Sequence, residues 1–201
     1  MHLLGPEPVQ AARVLPLDLG EGLVLRATTT GDARDAFAVV EAERERLREW
    51  LPWVDGTTSL AVERDFLVSV EQVNAAGVGL HATIRQDGEF CGFAGLRIDL
   101  MHRSAEIGYW LSERAVGRGI MTRSVAALFD AGFIRLGLHR MELLAAVGNT
   151  RSRAIAERLG MSFEGVRREA EELASGFVDL AMYAVLVQDW PGAEAAIARV
   201  G

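Results

Sequence analysis

The sequence predicts an α+β fold in which helices are layered on a mixed sheet. Two observations carry this prediction. Strand and helix patterns follow one another in the mixed order β–α–α–β–β–β–α–β–α–β–β, and half of the 201 residues are hydrophobic, enough to bury one sizeable core. Residues 1–21 are rich in Pro, Gly and Leu without periodicity, so we expect an irregular lead-in there.

The first part of the chain carries one strand pattern and two helix patterns. Residues 23–28 (LVLRAT) alternate like a strand. A helical run from about residue 31 to 49 keeps its charged residues on one face and its apolar residues on the other, and Pro52 ends it. A second helix is predicted from an N-cap among residues 57–59 through about Ala76.

Three strands are predicted next. Residues 79–86 (GLHATIRQ) and 89–99 (EFCGFAGLRID) flank Asp87-Gly88, which is a strong signal for a hairpin turn,. After a short break, residues 105–111 (AEIGYWL) form the third strand, and an amphipathic helix follows a glycine turn.

The last part of the chain predicts a strand, a helix and a closing strand pair. Residues 139–147 read as a strand, and Asn149-Thr150 caps a helix that ends at Gly160,. Residues 162–170 and 177–187 then form an antiparallel pair across a Ser-Gly turn.

Composition excludes several classes of function. The formal net charge of −7 argues against a nucleic-acid partner, which requires a basic face, and favours a cationic one. Cys91 is the single cysteine, so an internal disulfide is excluded, and the four scattered histidines argue against a metal site,. No apolar run approaches the roughly 18 residues of a membrane span. We expect a cytoplasmic protein without a metal or a membrane.

The glycine turn is the most informative local feature. Gly117 and Gly119 flank Arg118 between a strand and a helix. The first N–H groups of a helix lack intrahelical acceptors, and glycines let a ligand approach them. The helix dipole, Arg118 and Arg123 add positive charge, so the turn suits a pyrophosphate. The spacing matches neither the P-loop nor the Rossmann fingerprint, and an isolated GxG more often serves only to turn the chain.

The surrounding residues resemble a known family. The segments YWLSERAVGRGIMTRSVAALFDAGF and LGLHRMELLAAVGNTRSRAIAERLGMSFEGV are similar to the GNAT N-acetyltransferases, within them most to the bacterial RimJ/RimL-like branch that acetylates ribosomal-protein N-termini. The resemblance runs from about Leu23 to Trp190. It implies one GNAT domain at residues 22–190 with a short tail at 191–201, and a mostly antiparallel twisted sheet with helices on both faces.

The resemblance also implies an acetyl-CoA site. The family's pyrophosphate motif falls on residues 116–121, and the backbone amides that it assigns to the pyrophosphate are those of Gly117, Arg118, Gly119, Ile120, Met121 and Thr122. Val116 and Met121 depart from the motif, and Val116 removes one polar contact. The pantetheine arm is assigned to backbone groups of Tyr109 and Leu111 by strand addition, and to Asn149.

Two residues are candidates for acid–base chemistry. By resemblance Glu106 is the base and Ser152 protonates the departing thiolate, because the family's usual tyrosine acid is replaced by Ala156. The alternatives stay open: Glu106 as a carboxylate paired with Arg103 or Arg140, and Ser152 as an ordinary first-turn residue behind the cap Asn149.

The acceptor is expected to be a primary amine. An α-amine, with a pKa of about 7.7–8.0, is far more often neutral than a lysine near 10.4, so a weak base suffices for it. Direct attack on a protein N-terminus is therefore the leading prediction. A small amine (polyamine, aminoglycoside or amino-acid conjugate) and a non-catalytic acyl-CoA sensor are the alternatives. Trp50 and Trp53 are candidates for the substrate wall, and a homodimer is expected by analogy alone.

Overall fold

The computed structural model describes residues 9–198, and over this range the chain forms eight strands and six α-helices. The strands are β1 (Leu17–Asp18), β2 (Leu23–Ala27), β3 (Gly79–Gln86), β4 (Glu89–Asp99), β5 (Ser104–Leu111), β6 (Arg140–Ala146), β7 (Ser162–Leu173) and β8 (Gly176–Leu186). The helices are α1 (Ala33–Ala42), α2 (Arg44–Arg48), α3 (Leu60–Ala76), α4 (Ile120–Asp130), α5 (Thr150–Arg158) and α6 (Ala193–Ala198).

The strands form a single mixed sheet, as the sequence predicts. Their order is β1-β2-β3-β4-β5-β6-β8-β7, and every neighbouring pair is antiparallel except β5 and β6. The hairpin between β3 and β4 turns at Asp87 and Gly88, which both have a positive φ. The predicted closing pair is β7 and β8. The α+β class is therefore confirmed.

Helices cover both faces of the sheet because side chains alternate along each strand. On β3, Leu80, Ala82 and Ile84 belong to the same buried cluster as α4. The intervening residues face the other side, where α3 lies: the backbone of His81 exchanges two hydrogen bonds with the side chain of Asn74. Each face of the central strands is thus occupied by a different helix layer.

The long first helix of the prediction is broken, which corrects the sequence interpretation. Glu43 leaves the helical conformation (φ −116°, ψ 18°) between α1 and α2. Its carboxylate accepts hydrogen bonds from the backbone N–H of Glu113 (3.0 and 3.1 Å) and pairs with Arg46. Pro52 does not end this helix, which stops at Arg48, but opens a 3₁₀ helix at Pro52–Gly56.

Residues 9–21 are more ordered than the expected irregular lead-in. They contain a 3₁₀ helix (Ala11–Arg13) and β1, and Ala11 and Val14 are buried in the main core. Apolar residues without periodicity can thus still pack, because burial rather than local pattern holds them. Residues 1–8 of that prediction and 199–201 of the tail lie outside the described residues. The domain boundaries stay a prediction.

A buried carboxylate ties the first helical segment to the sheet. Asp32 is fully buried, and its oxygens accept hydrogen bonds from Thr83 Oγ1 (2.9 Å), Arg85 Nη2 (3.0 Å), the backbone N–H of Thr29 (3.1 Å) and a guanidinium nitrogen of Arg26. Two arginines and two other donors therefore offset the desolvation of one carboxylate.

Replacing Asp32 with alanine should lower the free energy of unfolding by about 3 kcal/mol, the lower end for a broken buried pair because both arginines are partly exposed. Asp35 also pairs with Arg85, at 2.7 Å, but it is exposed, so Asp35→Ala should cost at most about 1 kcal/mol,. Urea denaturation of both variants measures the difference. Equal losses would contradict the assigned role of Asp32.

Candidate active site

The two halves of the sheet separate between β5 and β6. These parallel strands pair only from Ser104–Glu106 to Arg140–Glu142, although β5 continues to Leu111 and β6 to Ala146. A cavity of about 1270 Å³ opens at this separation and is lined by both strands, α3, the Pro52–Gly56 segment and the start of α4 and of α5. Its size exceeds the usual range for one small ligand.

The free edge of β5 presents backbone groups to this cleft. The N–H of Ser112 donates to the carbonyl of Cys91 on β4 (2.7 Å). Because backbone groups alternate along a strand, the N–H and C=O groups of Tyr109 and Leu111 point to the opposite side, towards β6. The Leu111 carbonyl already accepts a hydrogen bond from Arg46 Nη2 (2.8 Å). Both sequence-predicted residues therefore lie on the open edge.

The glycine turn is open to the same cleft. Gly117 and Gly119 have φ values of 80° and 71°, and a Cβ at either position would meet no atom within 4 Å. The positive φ favours glycine, and the empty space lets a ligand reach the backbone. Helix α4 begins directly afterwards, with Gly119 as its N-cap.

The first turn of α4 leaves its amides without acceptors. The N–H of Arg123 makes the first intrahelical bond, to the carbonyl of Gly119 (3.1 Å). The N–H groups of Ile120, Met121 and Thr122 precede it and find no acceptor within residues 9–198. Their side chains are buried, which anchors the helix while its N-terminus faces the cleft.

The positive charge at this turn comes partly from a residue that the sequence analysis missed. Arg118 is exposed, but Arg123 is bound by Glu21 (2.8 Å) and by the carbonyl of Leu19 (2.6 Å). Arg158 instead reaches the turn from α5, and its Nη1 donates to the hydroxyl of Thr122 (3.0 Å). No local pattern indicates this contact, because it joins residues 36 positions apart.

Asn149 caps α5 and places Ser152 at the cleft. The side-chain oxygen of Asn149 accepts the backbone N–H of Ser152 (3.1 Å), as the capping interpretation predicts. The hydroxyl of Ser152 lies 2.9 Å from the hydroxyl of Tyr109. Burial raises the pKa of Tyr109 to about 12, against the opposing influence of Ser152 and of the positive charge of Arg158. The Tyr109 hydroxyl is therefore protonated at neutral pH.

The side chain of Tyr109 was also missed, because the sequence analysis assigned only its backbone to the site. Ala156, which stands at the family's tyrosine position, is fully buried. A tyrosine hydroxyl nevertheless lies beside Ser152, supplied by β5 rather than by α5. Alternation with Ile107 and Leu111 predicts a buried side chain, but only the three-dimensional structure brings its hydroxyl to Ser152.

Glu106 has a different partner from those expected. It lies beside Arg97, its cross-strand neighbour on β4, at 2.7 Å, and not beside Arg103 or Arg140. Arg140 pairs with Glu142 (2.6 Å) and with Glu164. Arg97 is largely exposed, so this ion pair leaves Glu106 partly accessible from the cleft.

Aromatic rings form one wall of the cleft. Trp53 lies with its ring centroid 6.1 Å from that of Trp110, which packs against Phe90 and Phe93 at 5.8 and 5.6 Å. Trp50 lines the cleft beside Gly148, where an added Cβ would contact its ring at 3.5 Å. Both predicted tryptophans thus pack and face the cleft at the same time.

Over residues 9–198 there is no group of three or more His, Cys, Asp or Glu side chains that could hold a metal ion. In the same range no helix is long and apolar enough to cross a membrane. Cys91 is buried, and burial raises the pKa of its thiol, so it is poorly suited to act as a nucleophile.

Comparisons with known proteins agree with this geometry. The family model described as an acetyltransferase (GNAT) domain matches residues 22–162. YdaF of Bacillus subtilis, provisionally named a ribosomal N-acetyltransferase, is 31% identical over 87% of this chain and 96% of its own length.

Two solved structures show the same fold. RimJ of Mycobacterium smegmatis, in complex with a CoA disulfide, superimposes with a TM-score of 0.85 at 26% identity over 93% of each chain. An acetyltransferase of Salmonella typhimurium, described as modifying the N-terminal serine of ribosomal protein L7/L12, gives 0.79 at 27% identity over 86% of this chain and 99% of its own.

The family model covers well over half of the chain, and YdaF matches over nearly its whole length. This chain therefore belongs to the GNAT family of acyl-CoA-dependent N-acetyltransferases.

Proposed function

We propose that this chain transfers the acetyl group of acetyl-CoA to the α-amino group at the N-terminus of a ribosomal protein. The observation that carries the proposal is the set of free N–H groups at the start of α4, which opens into the same cleft as the free edge of β5. The likeness to the Salmonella typhimurium protein, described as modifying an N-terminal serine, supports the choice of acceptor.

The residues of the cleft fit the parts of acetyl-CoA. The amides from Gly117 to Thr122 suit the pyrophosphate, assisted by Arg118 and Arg158. The backbone of Tyr109 and Leu111 suits the amides of the pantetheine arm, which would lie along β5 as an added strand. The side-chain nitrogen of Asn149 remains available to the same arm, since its oxygen is occupied by the cap. When bound, acetyl-CoA supplies an activated acetyl group and a thiolate leaving group.

The side chains around the thioester position then manage two protons. Glu106 accepts a proton from the acceptor amine, through a water molecule, while the C–N bond forms. Ser152 donates its hydroxyl proton to the departing sulfur as the C–S bond breaks, and a proton from solvent restores the hydroxyl. Tyr109 donates a hydrogen bond to the Ser152 oxygen during this transfer. The acetyl group passes directly to the amine, without a covalent enzyme intermediate.

The acceptor is an α-amine because its free energy of deprotonation is small. Its pKa of about 7.7–8.0 leaves roughly a tenth or more neutral at pH 7, whereas a lysine near 10.4 costs about 4–5 kcal/mol to deprotonate. A carboxylate that acts as a base through water is sufficient to deprotonate an α-amine, but it is too weak a base for a lysine side chain. Trp50 and Trp53 provide the wall along which the first residues of the acceptor lie.

The purified protein should release CoA thiol with peptides that begin with Ser or Ala, and mass spectrometry should place the acetyl group on the α-nitrogen. N-terminally blocked peptides that retain a lysine serve as the control and should react at least tenfold more slowly. Glu106→Gln should lower turnover with unchanged acetyl-CoA affinity. Turnover with small amines only would contradict the proposed acceptor, and acetyl-CoA binding without turnover of any amine would indicate a sensor.

Ser152→Ala should lower kcat by about 10²-fold or more, because it removes the group that donates to the departing sulfur. Tyr109→Phe should lower kcat about three- to tenfold, the value of one hydrogen bond. Tyr183→Phe is the matched control, since Tyr183 is buried outside the cleft and bonds to Arg153 and Glu157. If Ser152→Ala retained full kcat in steady-state kinetics, the assigned role of Ser152 would be wrong.

Gly119→Ala should weaken acetyl-CoA binding about tenfold, because the added methyl group lies over the free amides and the positive φ is strained. Gly137→Ala is the control: its φ of 64° imposes similar strain, its Cβ also meets open space, and it does not line the cleft. Calorimetry with acetyl-CoA measures both. An equal affinity in the two variants would argue against pyrophosphate binding at this turn.

A further inference from the structure

A buried carboxylate that has no partner among the described residues lines the cleft. Glu63 is 3% exposed and lines the cavity, yet its oxygens make no hydrogen bond or ion pair with any residue between 9 and 198. It belongs to the buried stripe of α3, together with Leu67, Val70 and Asn74. A carboxylate at such a position is costly unless something offsets its desolvation.

Two glycines shape the part of the sheet that lines the cavity. His81, Gly95 and Gly108 are cross-strand neighbours on β3, β4 and β5. The imidazole lies over Gly95, where an added Cβ would come within 2.3 Å of Nδ1. Gly108 leaves the adjoining floor bare. The glycines therefore create room between the imidazole and Glu106, which lies one row further along the sheet.

The other charged groups around the cavity do not neutralise Glu63. From α2 and β4, Arg46 and Arg97 are engaged by Glu43 and Glu106. Glu171 faces the cavity from β7, and its pKa is raised by burial and by the charge of Glu106. Burial raises the pKa of Glu63 to about 7 and lowers the pKa of His81. Among the described residues, no cation that lines the cavity is paired with Glu63.

We propose that Glu63 forms a subsite that binds a second cationic group of the acceptor, an ammonium or a guanidinium, while the reacting amine lies near Glu106. The inference rests on the proposed function of the cleft as an amine-acetylating site. It adds a preference that the reaction itself does not require: an acceptor with a basic side chain next to its N-terminal residue, or a diamine.

A basic side chain of the acceptor can pair with the Glu63 carboxylate. A neutral side chain of the same length would fill the space but leave the carboxylate unpaired.

The subsite should depend on pH. Below a pH of about 7 Glu63 holds a proton, so binding a cation must release it, and affinity for the cationic acceptor weakens as the pH falls. The other titratable and charged groups that line the cavity are His81 on β3, Arg97 on β4, Glu106 and Tyr109 on β5, Glu171 on β7, Arg46 and Glu49 from the first helical region, Arg123 on α4, and Arg151 and Arg158 on α5. The pH dependence that is lost in the Glu63→Gln variant is the part that Glu63 contributes.

The test compares matched acceptors. Kinetics with Ser-Lys and Ser-norleucine peptides, and with 1,4-diaminobutane and butylamine, should give the wild-type protein at least a tenfold higher kcat/KM for the cationic member of each accepted pair. Glu63→Gln should abolish the preference through KM. Asp65→Asn, which removes a carboxylate from the exposed face of the same helix, should retain it.

Other outcomes overturn the proposal. The proposal would be wrong if the wild-type protein showed no preference for the cationic acceptor. It would also be wrong if Glu63→Gln lowered kcat equally for the cationic and the neutral acceptor, because Glu63 would then act in the chemical step. If no acceptor reacts, the proposed function fails, and calorimetry of the CoA-saturated protein with the two small amines decides the subsite alone. Equal or absent binding of both amines would then refute it.

Folding does not obscure this test. A raised carboxyl pKa stabilises the folded state most below the unfolded value of about 4.5, and that stability is lost as the pH rises through about 7,. Glu63→Gln removes the penalty, so its Tm should exceed that of the wild-type protein more at pH 8 than at pH 5. An equal difference at both pH values would indicate that Glu63 is not an unpaired carboxylate in solution.

Discussion

The structure depends on the point where β5 and β6 stop pairing. Each strand is held on its other side by a long antiparallel partner, β4 for β5 and β8 for β6. The two halves of the sheet therefore keep their own directions, and only three residue pairs join them. Beyond these pairs the backbone of β5 lies inside the molecule without a strand to bind. Unpaired backbone groups away from water are costly. A ligand that forms hydrogen bonds with the unpaired groups of β5 therefore gains binding free energy.

Contacts between the two halves position the chemical groups. The Tyr109 hydroxyl on β5 meets Ser152 on α5, and Thr122 on α4 meets Arg158 on α5. Both contacts cross the separation, so the same helix holds the cleft at Tyr109 and at the first turn of α4. This arrangement explains why the capping residue Asn149 matters beyond local helix stability: it fixes the start of α5, from which both contacts extend.

Local patterns in the sequence were sufficient for most of the fold and for part of the site. The bounds of β3 and β4, the hairpin turn, the cap at Asn149 and the glycine turn before α4 follow from alternation and turn chemistry. The partners of charged groups did not follow. Arg97 for Glu106, Glu21 for Arg123 and Arg158 for Thr122 depend on strand register and helix packing, and neither is encoded within a short window. The absence of a partner for Glu63 among the described residues also depends on this packing and could not be predicted from the sequence.

The charge of the protein is distributed along the cleft in a way that the net charge of −7 does not reveal. The turn before α4 carries Arg118, Arg158 and the positive end of a helix dipole, although the protein as a whole is acidic. The same cavity is also lined by Glu63, Glu106 and Glu171. In the proposed function, the turn attracts the polyanionic donor and these carboxyl groups attract a cationic acceptor, which favours a single mutual orientation. The acidic surface that argues against nucleic acid would then serve the acceptor, while free backbone amides would bind the phosphates of the donor without a strongly basic surface.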